Sequence, residues 1–260
     1  MFVPTQNLQN KNYNELMSLF TSRFNSMSMI YGSYNVFENI LDCAINGFSF
    51  NYDHNVMESI RKKYKQDERY CIGEMIQIWI FIMNKKVRNN SSFDFWGNFY
   101  EENAMSKQSG FAQFFTPEPI CKLMASITFS KEGNHNDKNS VHEPTCGSGR
   151  LNLAINDIVP NLFHWANDLD VTCAKMSALN LFLHGIKGIV TCDDALLSKD
   201  KFRGAFIIND KNVLGIRYCS DVEEAYGYIG SVVGSKTFVY PEHIEAPIVE
   251  ELKLTQLSLF

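Results

Sequence analysis

Apolar residues recur at helical spacing through the first hundred positions. Leu16, Phe20 and Phe24 form one stripe, Val36, Ile40, Leu41 and Ala44 a second, and Ile72, Ile76, Ile80 and Met83 a third. No period-two alternation competes over a comparable length, so residues 14–100 predict three to five packed helices. Residues 89–92 read as a loop before an aromatic-rich stretch at 93–100. The pattern changes after Gly110. Pro117 can open a helix whose apolar face carries Ile120, Leu123, Met124 and Ile127. Residues 131–139 make a polar loop. Short apolar runs then alternate with helical stretches: strands at 140–142, 163–166, 188–192 and 205–208, with helices at 150–158 and 171–184. A helix at 220–232 and a strand at 236–240 follow. Strands separated by helices form βαβ units, which predicts an α/β fold with a mainly parallel sheet covered on both faces. The predicted organisation is a helical subdomain at 1–105, an α/β domain at 106–250 and a tail at 251–260.

Charge narrows the partners. The net charge is −5, whereas a chain that holds nucleic acid mainly through its own phosphate contacts is usually basic or carries a dense basic face. Arg61, Lys62, Lys63 and Lys65 form one small cluster; it can touch phosphate, but a solvated helix face is its ordinary reading. Nucleic-acid contact is therefore expected to be local or shared with a partner. Seven cysteines, Cys43, Cys71, Cys121, Cys146, Cys173, Cys192 and Cys219, are odd in number and contain no C-x-x-C pair. That spacing speaks against a disulfide framework and a zinc knuckle, and fits reduced thiols. The start of the chain has no basic-then-apolar signal, and the apolar run 76–83 is too short to span a bilayer. The expectation is a soluble, cytoplasmic protein that needs no metal.

In a parallel α/β sheet, ligands lie beyond the carboxyl ends of the strands, in the strand-to-helix turns. The first such turn reads Glu143-Pro144-Thr145-Cys146-Gly147-Ser148-Gly149-Arg150. Two glycines one residue apart, between a strand and a helix, let the backbone bend sharply and approach a ligand closely. Asp168 follows the second strand, and Asp170 beside it is equally well placed to cap a helix. Asp194 follows the third strand.

Glu143 to Arg150 resembles the D-P-x-C-G-S-G signature of adenine-N6 DNA methyltransferases, and is most similar to the methylation subunit of type I restriction-modification systems. Three further segments resemble that family in its own order. Gln113-Phe114-Phe115-Thr116-Pro117 is similar to its Q-F-F-T-P segment. Asn167-Asp168-Leu169-Asp170 with Ala178-Leu179-Asn180-Leu181-Phe182-Leu183-His184-Gly185-Ile186 resembles its second strand and N-L-x-L-H-G-I helix. Cys192-Asp193-Asp194-Ala195-Leu196 resembles its G-D-T-L turn. The likeness runs over about residues 93–208. It implies a Rossmann-like S-adenosylmethionine fold, with Glu143 and Thr145 near the methionine amino group and Gly147 and Gly149 facing its carboxylate. Asp168 would lie at the ribose and Asp194 at the adenine amino group, Phe115 or Pro117 would give an apolar wall, and Thr116, Leu169 and Ala195 would be cofactor-binding neighbours of these residues. Cys146 carries no nucleophilic role, and His142 reads as a strand-end residue.

The likeness breaks at one place. The exocyclic nitrogen of adenine is a weak nucleophile because its lone pair is delocalised, and the family meets this with an [N/D/S]-P-P-[Y/F/W] loop after the fourth strand. That loop accepts both amino protons and stacks an aromatic ring on the flipped base. Here the corresponding stretch is Asn209-Asp210-Lys211-Asn212-Val213. Asn209 or Asp210 can act as the acceptor, but the prolines and the aromatic are missing, and Lys211 adds a cation. Two classes of function follow: an adenine-N6 DNA methyltransferase of impaired activity, or a catalytically silent cofactor-binding module brought to DNA through partners or the sliding clamp; the resemblance also implies a specificity subunit as a partner. Methylation of RNA or protein is a weaker third. Finally, Gln256-Leu257-Ser258-Leu259-Phe260 resembles the Q-L-[S/D]-L-F peptide that docks on the bacterial sliding clamp, with Gln256 as the hydrogen-bonding anchor and Leu257, Leu259 and Phe260 as apolar ones. On that resemblance, removing the last five residues is expected to abolish capture by the clamp in a pull-down.

Overall fold

A computed structural model describes residues 7–51, 54–87, 92–104, 115–129, 140–196, 201–210 and 214–234. Residues 113 and 114, 211–213, the expected strand at 236–240 and the clamp-like residues Gln256, Leu257, Leu259 and Phe260 lie outside the described residues.

The helical part comprises α1 (Tyr13–Tyr31), α2 (Ser33–Gly47), α3 (His54–Lys63), α4 (Gln66–Val87) and a short α5 (Phe95–Phe99) that continues as a π-helical turn, Tyr100–Ala104. α1 begins at a capping box in which the Asn12 side chain accepts from the Glu15 N–H and Glu15 accepts from the Asn12 N–H. Aromatic ring contacts, edge-to-face around Phe20 and tilted between Trp79 and Trp96, build its centre. The Phe20 ring meets Phe95 and Phe99 at 5.1 and 4.8 Å, and Trp79 lies 4.7 Å from Trp96. The stripes on α1 and α2 are buried as expected. On α4 the buried face is instead Cys71, Ile72, Met75, Ile78, Trp79, Ile82 and Met83, which leaves Ile76 half-buried and Ile80 exposed. Arg61, Lys62 and Lys63 occupy the exposed last turn of α3, where cations complement the helix dipole.

The α/β part runs α6 (Glu118–Thr128), β1 (Ser140–Glu143), α7 (Arg150–Ile158), β2 (Phe163–Asp168), α8 (Val171–Leu183), β3 (Gly188–Cys192), β4 (Gly204–Ile208), β5 (Ile216–Cys219) and α9 (Val222–Val233). The five strands pair in the order β1-β2-β3-β4-β5. β1, β2 and β3 are parallel, with Trp165 opposite His142 and Ile189. β4 is antiparallel to both its neighbours, so four of the five strands point one way and β4 alone points back. The expected alternation of strand and helix therefore fails between β3 and β4. Only residues 193–203 separate them, and a parallel crossover takes about a dozen residues or more. Four alternating residues on each face settle the burial. Phe163, Trp165, Ile189 and Ile207 pack under Ala225 and Ile229 of α9. Ala166, Val190, Phe206 and Ile208 join α8 and the helical part in one continuous core.

α6 corrects another expectation. It turns Cys121 and Ala125 onto α7, together with Ala154 and Ile155, and leaves Ile120, Leu123, Met124 and Ile127 exposed. Small side chains allow the close helix approach, whereas the bulky face points outward. All seven cysteines are free thiols, and only Cys43 is not fully buried. No described helix is long and apolar enough to cross a membrane, and no group of described His, Cys, Asp or Glu is placed to hold a metal.

Candidate functional site

The turn between β1 and α7 carries the two glycines, at φ 55° for Gly147 and 84° for Gly149. These lie in the left-handed region, where a side chain costs energy. Their neighbourhoods differ. A Cβ on Gly147 would stand 2.8 Å from the Phe115 ring, so the ring lies directly on bare main chain. A Cβ on Gly149 would stand 2.8 Å from Ser177 Oγ, so this glycine lets α8 come close.

Asp168, at the end of β2, ties this turn to the next. Its carboxylate accepts from the Gly147 N–H at 2.8 Å and from the Asp170 N–H at 2.9 Å. The Cys146 N–H donates to Asn167 O at 2.7 Å. Burial pushes the Asp168 carboxyl above the usual carboxylate range, and the Asp170 and Gly147 amides pull it back. Asp170 caps α8, accepting from the Thr172 N–H at 2.7 Å. A cavity of about 450 Å³ opens beside this carboxylate, lined by Tyr34, Glu38, Asp168, Leu169, Thr172 and Arg203 among others. That size is within the usual range of ligand sites.

The remaining expected cofactor residues sit around this centre. Thr145 donates to Glu143 Oε1 through its N–H and its hydroxyl, both at 3.3 Å, so Glu143 also braces its own turn. Thr116 O accepts from Arg150, and Pro117 is the cap residue of α6. Leu169 is half exposed, and its carbonyl accepts from Arg203 at 3.1 Å. Asp194 accepts from the Leu196 N–H at 3.1 Å, and Ala195 is exposed beside it. Asp194 follows β3, whose Cys192 is the register partner of Asp168, so both acids lie at one edge of the sheet. His142 stacks on Trp165 at 3.7 Å with 14° between the planes, and burial lowers its pKa to about 4. It is a strand-end residue.

Sequence reasoning missed the polar cluster that holds all this in place. Asp94, at the cap of α5, accepts from Ser148 Oγ at 2.6 Å, Arg150 Nε at 2.8 Å, the Gly97 N–H at 2.8 Å and Asn180 Nδ2 at 2.7 Å. A Cβ on Gly97 would overlap the Asp94 carboxylate and Ser148 Oγ. The Gly147-x-Gly149 turn, α8 and the helical part thus meet at one buried carboxylate. Its only local trace is Asp94 followed three residues later by Gly97.

Asn209 and Asp210 are not part of this site. Because β4 runs backwards, Ile208 pairs with Gly188 at the start of β3, while Gly204 pairs with Cys192 at its end. The expected acceptor residues therefore stand at the opposite edge of the sheet from Asp168 and Asp194. Asn209 is buried in a left-handed turn at φ 52°. Its Nδ2 donates to Ile186 O at 3.0 Å and Phe182 O at 3.3 Å, and its Oδ1 accepts from the Gly215 N–H at 3.1 Å. Asp210 accepts from Tyr228 Oη at 3.0 Å. These are bonds that build a turn. Asn209→Ala is expected to lower stability by about 1–3 kcal/mol through the unsatisfied carbonyls, which urea denaturation checks.

Residues 91–213 match the N-6 DNA methylase family. The N-6 DNA methylase match begins just before Asp94 and ends just after β4, so it contains every element around the glycine turn and leaves out the helices before residue 91. Among curated proteins, the type I restriction enzyme MpnII methylase subunit of Mycoplasma pneumoniae is 28% identical over 100 residues, which covers 36% of this chain and 17% of that protein. Partial matches among solved structures include a type I restriction-modification methyltransferase subunit from Streptococcus thermophilus, at 16% identity and TM-score 0.38, covering 76% of this chain and 42% of that one. Another is a class I S-adenosylmethionine-dependent methyltransferase reported from Listeria monocytogenes, at 15% identity and TM-score 0.42, covering 71% of this chain and 55% of that one.

Proposed function

We propose that this chain holds S-adenosylmethionine as a DNA adenine-N6 methyltransferase of the restriction-modification type, and that it transfers the methyl group poorly or not at all unaided. The observation that supports the cofactor is the Asp168 carboxylate bonded to the Gly147 amide beside a cavity of about 450 Å³. The cavity and Asp168 fit the ribose end of the group: Asp168 offers carboxylate oxygens to ribose hydroxyls, and the Phe115 ring gives an apolar face. The two left-handed glycines shape the turn, with the Gly147 N–H given to Asp168 and the Gly149 N–H to Cys146 O. When bound, S-adenosylmethionine supplies an activated methyl group. The chain's own residues would orient it.

The second reading, a silent cofactor-binding module, draws its support from β4. Adenine-N6 transfer needs fixed acceptors for the amino protons near the methyl group, and Asn209 spends its side chain on a turn at the far edge. DNA and a specificity subunit are proposed as partners in either case, since a net charge of −5 favours shared DNA contact. Titration calorimetry with S-adenosylmethionine, followed by tritiated methyl transfer to unmethylated genomic DNA, separates the readings. Binding without transfer supports the module, binding with transfer supports the enzyme, and no binding removes both.

A further inference from the structure

The helical part reaches the glycine turn through an ion cluster that a purely structural role explains poorly. Arg150 is almost wholly buried and its guanidinium serves three segments at once. Nε donates to Asp94 at 2.8 Å, Nη1 to Thr116 O at 3.1 Å, and Nη2 to Asn98 Oδ1 at 3.0 Å and Glu101 Oε2 at 3.1 Å. Glu101 then passes the constraint on, because its other oxygen accepts from the Phe115 N–H at 3.0 Å. The Arg150 guanidinium lies 5.7 Å from the Phe115 ring centroid, and Tyr100 flanks the same ring at 6.0 Å. The Phe115 main chain is therefore held from the helical side by Glu101, and its ring by Tyr100 from that side and by Arg150 of α7, with the ring against Gly147. Burying charges in this way is a weak device for stability, since apolar side chains of equal volume often do as well or better. Orientation is what a planar, multiply bonded guanidinium provides and apolar packing does not.

We propose that Glu101 and Arg150 are positioning residues for the cofactor: anchored on Asp94, they fix Phe115 over Gly147 so that the methionine end of the ligand meets a preformed wall. The inference rests on the cofactor reading above. It makes the helical part a component of the binding site.

Titration calorimetry of the full chain with S-adenosylmethionine tests it. Glu101→Ala is expected to weaken binding about tenfold, the scale of one hydrogen bond to a charged group, with an unchanged far-ultraviolet spectrum. Glu101→Gln, which keeps an acceptor for the Phe115 N–H, is expected to recover part of that loss. Because the effect acts through Phe115, the double variant Glu101→Ala, Phe115→Ala is expected to bind no more weakly than Phe115→Ala alone. Arg150→Lys is expected to weaken binding as well, since a point donor cannot span the same acceptors; if it does not fold, Glu101 decides. Wild-type affinity in Glu101→Ala, or losses that multiply in the double variant, overturn the inference while wild-type binding keeps the cofactor reading intact. Failure of the wild-type chain to bind S-adenosylmethionine removes both.

Discussion

Gly147→Val is expected to abolish S-adenosylmethionine binding in a chain that still folds. Valine at φ 55° is strained by about 1–2 kcal/mol or more, because its branched Cβ crowds the adjacent carbonyl. The larger effect is steric. The first added carbon would stand 2.8 Å from the Phe115 ring, so the ring must leave or the turn must move, and either change breaks the surface the ligand lies on. Moving the turn also pulls the Gly147 amide off the Asp168 carboxylate, which sits 2.8 Å away. A loss of more than about a hundredfold, roughly 2.8 kcal/mol, is the expected outcome. Gly147→Ala should fall between valine and the wild type. Calorimetry gives the affinity and circular dichroism the fold. A folded valine variant that binds at wild-type strength would take the glycine turn out of the site altogether.

Asp94→Ala is expected to produce the largest loss of stability of any single substitution near the site. Its carboxylate accepts four hydrogen bonds from Ser148, Arg150, Gly97 and Asn180. Its removal leaves Arg150 as a buried cation facing no carboxylate on that side. Breaking one partner of a buried pair costs about 3–5 kcal/mol, against a total of about 5–15 kcal/mol for a typical domain. Urea denaturation should show the midpoint fall at an unchanged slope. Asp94→Asn keeps the acceptor oxygen but not the charge and should lose less. A change below about 1 kcal/mol in the alanine variant would show that water or a neighbouring group replaces the carboxylate at no great cost.

Arg150, Glu101 and Asp94 show how unevenly the site could be read. Gly147, Gly149 and Asp168 stood out because a turn between a strand and a helix, and an acid at a strand end, are local patterns with a local cause. Asp94 lies 54 positions from Ser148 and 86 from Asn180, and no local spacing announces a bond of that kind. The packing face of α6 is hidden from the sequence for a related reason. Periodicity marks the bulkiest stripe, Ile120, Leu123, Met124 and Ile127, whereas α7 accepts the small one, Cys121 and Ala125.

By itself, then, the sequence determined the helical first part, the first four strands within a residue or two, the glycine turn and its acids, because each follows from side-chain period and backbone freedom over a few neighbouring residues; β5 (Ile216–Cys219) it did not announce. Only the tertiary structure decided that β4 turns back, that Asn209 and Asp210 are thereby carried to the opposite edge from Asp168, and that Asp94 and Arg150 bind the helical part to the glycine turn. Strand direction and buried ion pairs depend on contacts between residues far apart in the chain, and the alternation of apolar and polar positions is the same for a strand running either way.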